Sequence, residues 1–172
     1  MAVAIWSKDG KMSTSIHNVC LLLGSNIEPE QNIPRAVTIL RGQVTVLKVS
    51  SVWESASEDC CYPDYLNLAL MVTTSLSADE LKLQVLRPVE ARMGRVRTED
   101  KNASRPIDID IVLYDGEDFD PDLWLHAHRA IPVSELYPDH HSESGLRLSD
   151  VAHQLAISKG IILRDDIMVS AA

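Results

Sequence analysis

Two aspartates, Asp108 and Asp110, stand two positions apart in the otherwise apolar run RPIDIDIVLYDG at residues 105–116. Alternate residues of a β-strand point to the same face, so the two carboxylates lie side by side if this run is a strand. Such a pair favours a hard cation such as Mg²⁺, which binds one or two protein carboxylates and completes its shell with phosphates and water. The alternative is a solvated face of an antiparallel sheet.

Basic residues cluster directly before this acidic pair, although the chain as a whole has a net charge of -9, with 25 acidic and 16 basic side chains. The cluster consists of Arg87, Arg92, Arg95, Arg97, Lys101 and Arg105. The overall acidity argues against a nucleic-acid partner, because such binding depends on neutralising phosphates. Arginines beside paired carboxylates favour a small phosphate ligand that carries Mg²⁺, although an arginine run is also typical of a solvated surface.

The segment YPDYLN at residues 62–67 places an aromatic ring next to an amide. In a strand, Tyr65 and Asn67 share one face. A tyrosine ring and an amide together suit a planar heterocycle with hydrogen-bond donors and acceptors along its edge. The alternative is that Tyr65 packs in the core, as strand tyrosines commonly do.

Hydrophobic periodicity predicts the elements that position these residues. Apolar and β-branched runs predict strands at 19–26, 44–55, 65–76 and 105–116, and helical spacing predicts helices at 29–40 and 77–94. The second helix begins with a capping box, Ser77 and Glu80, and contains Pro88, which predicts a kink. The order β-α-β-β-α-β predicts a ferredoxin-like α+β fold with an antiparallel sheet and both helices on one side.

The two ends of the chain are expected to differ from this core. Residues 1–17 are interpreted as a flexible leader and 18–172 as a single domain, with a loop-rich C-terminal extension after Asp120 and one short capped helix at 148–156. No apolar run approaches the ~20 residues that span a bilayer. The three cysteines form neither a disulfide framework nor a metal-binding spacing, so we expect a cytoplasmic protein. We also expect it to be a monomer.

Four segments together resemble the 6-hydroxymethyl-7,8-dihydropterin pyrophosphokinase family, which transfers diphosphate from ATP to a pterin alcohol in folate biosynthesis. They are LLLGSN, PDYLN, the pattern E-x-x-x-GRVR from Glu90 to Arg97, and RPIDIDI. The resemblance implies a ferredoxin-like enzyme whose substrates are ATP and hydroxymethyldihydropterin, with two Mg²⁺ ions held by Asp108 and Asp110. It also suggests that residues 94–104 form a loop that closes over the ligands.

The resemblance further implies which residues contact each substrate. For the pterin these are Gly24, Ser55, Tyr65, Asn67 and His128, with the tyrosine stacked on the ring and Asn67 bonded to its edge. For ATP they are Arg87, Glu90, Arg97, Arg105, Ile111, His126 and Arg129. The catalytic residues would be Arg95, Arg97, Arg105, Asp108 and Asp110, with one of the two aspartates as a candidate base for the substrate hydroxyl.

The chain departs from the family between the acidic pair and PVSELYP at residues 132–138, because this interval is shorter here. Counted forward from the acidic pair, His128 falls on the family's nucleotide-contacting histidine. Counted back from PVSELYP, it falls on the aromatic residue that packs on the pterin. His126, His128 and Arg129 are therefore rivals for these positions, and Trp124 could supply the missing ring.

Other interpretations of these features stay open at the level of sequence. The HAHR segment could be a solvated loop, or the histidines at 126, 128, 140 and 141 could bind zinc. The chain could also be a pterin- or nucleotide-binding module of the same fold with weak or lost catalysis. A third possibility is a ferredoxin-like interaction scaffold, for which the acidic pair is only a solvated strand face.

Overall fold

The computed structural model of the protein describes residues 15–57, 62–96 and 103–169. The strands in this part of the chain are β1 (His17–Ser25), β2 (Thr45–Val49), β3 (Trp53–Ser55), β4 (Tyr65–Thr74), β5 (Asp108–Tyr114), β6 (Glu117–Asp118) and β7 (Ile162–Leu163). They form one sheet in the order β6-β5-β1-β4-β3-β7, and β2 also pairs with β4. All pairings are antiparallel.

Helices cover both faces of this sheet. They are α1 (Pro29–Arg41), α2 (Ala78–Leu81), α3 (Arg87–Arg92), α4 (Ala127–Leu136) and α5 (Leu148–Lys159). One core contains apolar residues of α1, of the α2–α3 region and of one sheet face. A second core contains apolar residues of α4 and α5 and of the opposite face. The predicted ferredoxin-like α+β fold, with an antiparallel sheet and the first two predicted helices on one side, is confirmed.

The predicted helix at 77–94 is present but is not uniformly α-helical. Its capping box is confirmed: Glu80 N–H donates to Ser77 Oγ, and Ser77 N–H donates to the Glu80 carboxylate at 2.9 Å. A π-helical turn, Lys82–Leu86, separates α2 from α3, and Arg87 N–H donates to Lys82 O, five residues back. Because Pro88 has no N–H to donate, the regular ladder is interrupted at the predicted kink.

Two sequence-based predictions are wrong. The single strand predicted at 44–55 is divided into β2 and β3, and the Ser50 side chain at the break accepts a hydrogen bond from Ala69 N–H of β4 at 2.8 Å. The segment after Asp120 is expected to be loops up to the predicted helix at 148–156, but it contains α4; α5 confirms the predicted helix, although it begins without a side-chain cap. Helix α4 has no side-chain cap and includes Pro132, so it lacks local helix signals and depends on burying residues such as Ile131 and Val133 against the sheet.

The expected division into a leader and a single domain stays a prediction. Residues 1–14 lie outside the described residues, and β1 begins at His17, inside the expected leader. Cys60 and Cys61 also lie outside them, whereas Cys20 is a buried free thiol of β1. Among the described residues, no helix is long and apolar enough to cross a membrane.

Candidate active site

The centre of the site is a row of residues that oppose one another across neighbouring strands. Gly24 of β1 pairs with Asn67 of β4 on one side and with Asp108 of β5 on the other. Ser55 of β3 pairs with Tyr65, the first residue of β4. Opposed residues of antiparallel strands share a face, so the glycine leaves an open floor between the amide and the carboxylate.

A cavity of about 280 Å³ lies over this row. Ten of the residues predicted from the sequence line it: Gly24, Ser55, Tyr65, Asn67, Arg105, Asp108, Asp110, His126, His128 and Arg129. The expected alternation of β5 is also present, because Ile107, Ile109 and Ile111 are buried on the opposite face. The acidic pair is therefore the wall of a cleft and not an evenly solvated strand surface.

The Asp108 carboxylate is held between two arginines. Arg105 Nη1 lies 2.7 Å from Oδ2, and Arg95 Nη1 contacts Oδ1 while also lying 2.5 Å from Glu90 Oε1. Burial favours a raised pKa for Asp108, but the hydrogen bonds and charges of the two arginines outweigh it and hold the pKa below its usual value. Asp108 is therefore ionised at neutral pH.

The Asp110 carboxylate is in the opposite situation. Its nearest cation within the described part of the chain is Arg129, whose Nη1 lies 3.8 Å from Oδ2 and also contacts Asp120. Burial and the neighbouring Asp108 charge raise the pKa of Asp110 to about 6. Burial and the Asp108 charge both disfavour the ionised form of Asp110, so a cation bound beside this carboxylate would stabilise its charge.

These two carboxylates fit a magnesium site. They are oxygen ligands on adjacent positions of one strand face, and Mg²⁺ usually takes only one or two protein carboxylates. The described residues contain no group of three or more histidine, cysteine, aspartate or glutamate side chains that could hold a metal ion. That finding gives no support to a zinc site, whose four-coordinate geometry needs three or four protein ligands.

Three residues expected at the nucleotide do not line the cavity. Glu90 is 2 % exposed, and its Oε1 accepts from Arg95 and, at 3.0 Å, from Ile109 N–H, so it supports Arg95 from beneath β5. Arg87 lies exposed on α3, and Ile111 is in the core on the other face of the sheet. Arg97 lies outside the described residues. Their expected contacts with ATP stay predictions.

The pterin side of the cavity is polar at one edge and aromatic at another. Asn67 is 3 % exposed, and its Nδ2 donates to Ser55 Oγ at 2.9 Å. A Cβ built on Gly24 would lie 3.5 Å from Asn67 Oδ1 and 3.9 Å from Tyr65 Cδ1. The glycine therefore keeps free the space beside the amide oxygen and the tyrosine ring, which is the space that a flat ligand would occupy.

The structure separates the rival aromatic residues of the shortened segment. His126 and His128 line the cavity with their ring centroids 5.3 Å apart. Trp124 is not among the lining residues; its ring stacks on His140 at 5.7 Å, and its Nε1 donates to Asp118 at 2.7 Å. Burial, together with the charge of the neighbouring arginine, lowers the pKa of His128 to about 4, so its ring is neutral at pH 7.

Two cavity features escaped the analysis of sequence. Asp122 is a third carboxylate in the cavity lining, and Asp120 binds Arg129 and accepts from Asp122 N–H at 3.0 Å. Arg129 Nε is buried and has no hydrogen-bond partner within the described ranges. The only local signal was the turn-forming sequence DPD at 120–122, which indicates a turn but not its proximity to β5.

A ferredoxin-like sheet with paired carboxylates, arginines and a polar, ring-lined cavity on one face defines an α+β phosphotransfer protein. The 7,8-dihydro-6-hydroxymethylpterin-pyrophosphokinase (HPPK) family model matches residues 20–142. A 2-amino-4-hydroxy-6-hydroxymethyldihydropteridine pyrophosphokinase from Synechocystis is 30% identical over 134 residues, which cover 72% of this chain and 68% of that one. The chain therefore belongs to the HPPK family, and the predicted family and enzyme class are confirmed.

Other relatives are longer proteins. Folic acid synthesis protein FOL1 of Dictyostelium discoideum is 31% identical over 144 residues, which are 77% of this chain but 22% of that protein. In the crystal structure of Plasmodium falciparum HPPK-DHPS with pteroate, the match has a TM-score of 0.66 at 10% identity and covers 83% of this chain and 43% of that one. The chain thus spans less than two thirds of these relatives, and the Plasmodium match supports the fold alone.

Proposed function

We propose that this chain transfers diphosphate from ATP to 6-hydroxymethyl-7,8-dihydropterin, giving AMP and the pterin diphosphate. One observation carries the proposal: Gly24 stands in a single row between Asn67, suited to the edge of a heterocycle, and Asp108, suited to a phosphate-bound metal. A pterin at Asn67 and a metal-bound phosphate at Asp108 would bring the acceptor alcohol next to the phosphate chain, as an in-line transfer requires.

The pterin is expected to lie on the glycine floor, with its ring edge at Asn67 and Ser55 and its faces against Tyr65 and His128. An amide has both donor and acceptor atoms, as the pyrimidine edge of a pterin does. A neutral imidazole stacks on an electron-poor ring without bringing a charge into the pocket. His128 thereby takes the place of the second aromatic residue, and Trp124 has a structural role.

The triphosphate is expected to lie along Asp108, Asp110 and the arginines around them. Two Mg²⁺ ions held by the two aspartates would neutralise phosphate charge and polarise the phosphorus under attack. Arg105 and Arg129 line the cavity, and Arg129 Nε has no hydrogen-bond partner among the described residues, so both are suited to donate guanidinium N–H groups to phosphate oxygens. Arg95 contacts Asp108 and would add positive charge beside them. Arg97 would act in the same way.

In the reaction, the pterin hydroxymethyl oxygen forms a bond to the β-phosphorus, and the bond from that phosphorus to the α,β-bridging oxygen breaks. The bridging oxygen leaves with AMP and carries the developing negative charge. The arginines stabilise this charge, which is the main contribution that fixed positive groups make to phosphoryl transfer. The hydroxyl proton passes to solvent or to an aspartate, and no covalent bond to the protein is needed.

The test is the formation of AMP from MgATP by the purified chain, with and without the hydroxymethyl pterin. Pterin-dependent AMP production that Asp108→Ala abolishes is the expected result. Tight binding of pterin and ATP with no AMP would instead favour a binding module. No observation on this chain supports that alternative. Absence of Mg²⁺-dependent ATP binding would overturn the proposal altogether.

The remaining expectations on cofactors and partners belong to the same proposal. The net charge of -9 supports the absence of a nucleic-acid partner. Two Mg²⁺ ions per chain, a monomer and a cytoplasmic location stay predictions. Metal titration in the presence of an ATP analogue, light scattering of the purified protein and microscopy of a tagged chain test these three in turn.

A further inference from the structure

Strand β3 carries Ser55 into the cavity although the strand has only three residues, Trp53–Ser55. A strand this short makes few ladder hydrogen bonds, so contacts with neighbouring elements must set its position. Because Ser55 Oγ accepts from Asn67 Nδ2 at 2.9 Å, a shift of β3 would also disturb the amide at the ring edge.

Helix α4 holds β3 from the cavity side of the sheet. Glu135 Oε1 accepts from Trp53 Nε1 at 2.7 Å, and its Oε2 accepts from Ser51 N–H at 2.7 Å. One carboxylate therefore fixes both the backbone two residues before β3 and the side chain of the first residue of β3.

Residues 162–166, which contain β7 and Arg164, hold β3 at its outer edge. Strand β7 pairs with Trp53 and Glu54, and the next residue, Arg164, donates its backbone N–H to Val52 O at 2.9 Å. Without β7, β3 would be an edge strand with an unpaired row of backbone groups. The HPPK family match ends at residue 142, so β7 and Arg164 lie outside the matched residues.

The Arg164 side chain completes this attachment on the face opposite the cavity. Its Nη1 lies 2.5 Å from Glu54 Oε2, its Nε lies 2.8 Å from Asp166 Oδ1, and its Nη2 lies 3.8 Å from Glu30 Oε1 of α1. The Arg164 and Glu54 side chains are 22% and 26% exposed, so this ion pair is better shielded from water than an ordinary surface pair. The Arg164 guanidinium thus links β3, α1 and Asp166, which follows β7.

We propose that Arg164 is a positioning residue for the pterin site: through Glu54 it fixes β3, and through β3 it fixes the Ser55–Asn67 pair that meets the ring edge. The inference rests on the proposed function, since it assigns the pterin to this edge. Strands β1 and β4 separate β3 from β5, which carries Asp108 and Asp110, so Arg164 is expected to affect pterin binding and not the phosphates.

The test compares Arg164→Ala with the wild-type protein in two separate titrations. Hydroxymethylpterin is titrated with Mg²⁺ and α,β-methylene-ATP at saturation, and the ATP analogue is titrated alone. Arg164→Ala is expected to weaken pterin binding about tenfold while nucleotide affinity stays within about twofold, because a displaced contact group costs affinity only where it touches the ligand. Equal weakening of both ligands, or unchanged pterin affinity, overturns the inference.

Arg147→Ala is the matched control. Arg147 directly precedes α5 and pairs with Asp150 at 2.9 Å, so it is also a C-terminal arginine in an ion pair, but it does not line the cavity. It is expected to bind both ligands as the wild type does. Arg164→Lys, which keeps the charge beside Glu54, is expected to recover most of the pterin affinity. If Arg164→Ala does not fold, Glu54→Gln replaces it with the same expected pattern.

A double-mutant cycle and hydrogen exchange separate positioning from general loss of stability. If the two side chains act as one unit, the Glu54→Ala and Arg164→Ala double variant weakens pterin binding no further than Arg164→Ala alone. Faster amide exchange in residues 53–55 should accompany the loss of affinity. Failure of the wild-type protein to bind pterin would refute the proposed function, whereas normal binding by wild type and Arg164→Ala alike would refute only this inference.

Discussion

The two aspartates of the site are expected to have opposite effects on the stability of the metal-free protein, although they lie on the same strand face. The pKa of Asp110 is raised to about 6 from an ordinary value of 3.8, first by burial and then by Asp108. The folded state therefore holds the Asp110 proton more tightly than the unfolded state, and stability falls as the pH rises between these two values. Asp110→Asn removes this loss.

The magnitude follows from the size of the shift. The difference between an ordinary pKa of 3.8 and a pKa of about 6 corresponds to about 3 kcal/mol for a fully secluded carboxyl group. The Asp110 side chain is 49% exposed, so water screens part of this energy and about 1 kcal/mol remains. We therefore expect Asp110→Asn to be about 1 kcal/mol more stable than wild type at pH 8, and to differ less at pH 5, where folded Asp110 is mostly protonated.

Asp108→Asn is the matched control on the same strand. Asp108 bonds both Arg95 and Arg105, which hold its pKa below its usual value, so its charge stabilises the fold above the unfolded pKa and loses this effect on acidification. The asparagine removes the Asp108 charge from Arg105 and from Arg95, although Arg95 keeps its contact with Glu90, and we expect a loss of about 2–4 kcal/mol at pH 8.

Urea unfolding in EDTA at pH 5 and pH 8 measures all three proteins. The reasoning is refuted if Asp110→Asn is no more stable than wild type at pH 8, or if its gain is the same at both values of pH. The same substitution is expected to weaken Mg²⁺-dependent binding of the ATP analogue, so that a stabilising change reduces activity. Such opposition is typical of residues retained for function.

Three further variants test other parts of the site and the fold. Gly24→Val places methyl groups on the cavity floor, where the new Cβ lies 3.5 Å from Asn67 Oδ1. It is expected to weaken pterin binding by about tenfold or more and to leave the free energy of unfolding little changed. Unchanged pterin affinity would contradict the assignment of the floor. Glu90→Gln removes the buried charge beside Arg95 and is expected to lower the unfolding free energy by about 2 kcal/mol, whereas an effect on ATP affinity alone would indicate direct contact with the nucleotide. Ser77→Ala removes the cap of α2 and is expected to cost about 1 kcal/mol in urea unfolding with AMP formation unaffected, and a loss of activity at full stability would contradict a purely structural role.

The sequence was sufficient for features that depend on residues close together in the chain. The alternation of Asp108 and Asp110 with buried isoleucines follows from the period of a strand, and the Ser77–Glu80 capping box follows from local helix geometry. The ferredoxin-like order of elements could be predicted for the same reason, since each strand and helix of the first core has its own apolar periodicity. The resemblance to HPPK motifs added the enzyme class.

Other features depend on contacts between distant segments, which the chain pattern does not encode locally. Helix α4 has no cap and contains Pro132, so only burial against the second face of the sheet makes it helical. The same docking brings both His126 and His128 to the cavity and stacks Trp124 on His140, positions that the spacing along the chain does not reveal.

The environment of each charge was likewise settled by tertiary structure. Two carboxylates of the same type, two positions apart on one strand, acquire opposite pKa shifts. Burial and the Asp108 charge raise the pKa of Asp110, whose nearest arginine among the described residues lies at 3.8 Å, whereas two arginines within hydrogen-bond distance lower the pKa of Asp108. Residue type sets the charge that a site can carry, but distances to partners from other elements set its energy. Those distances exist only once β5, α3 and α4 have packed together.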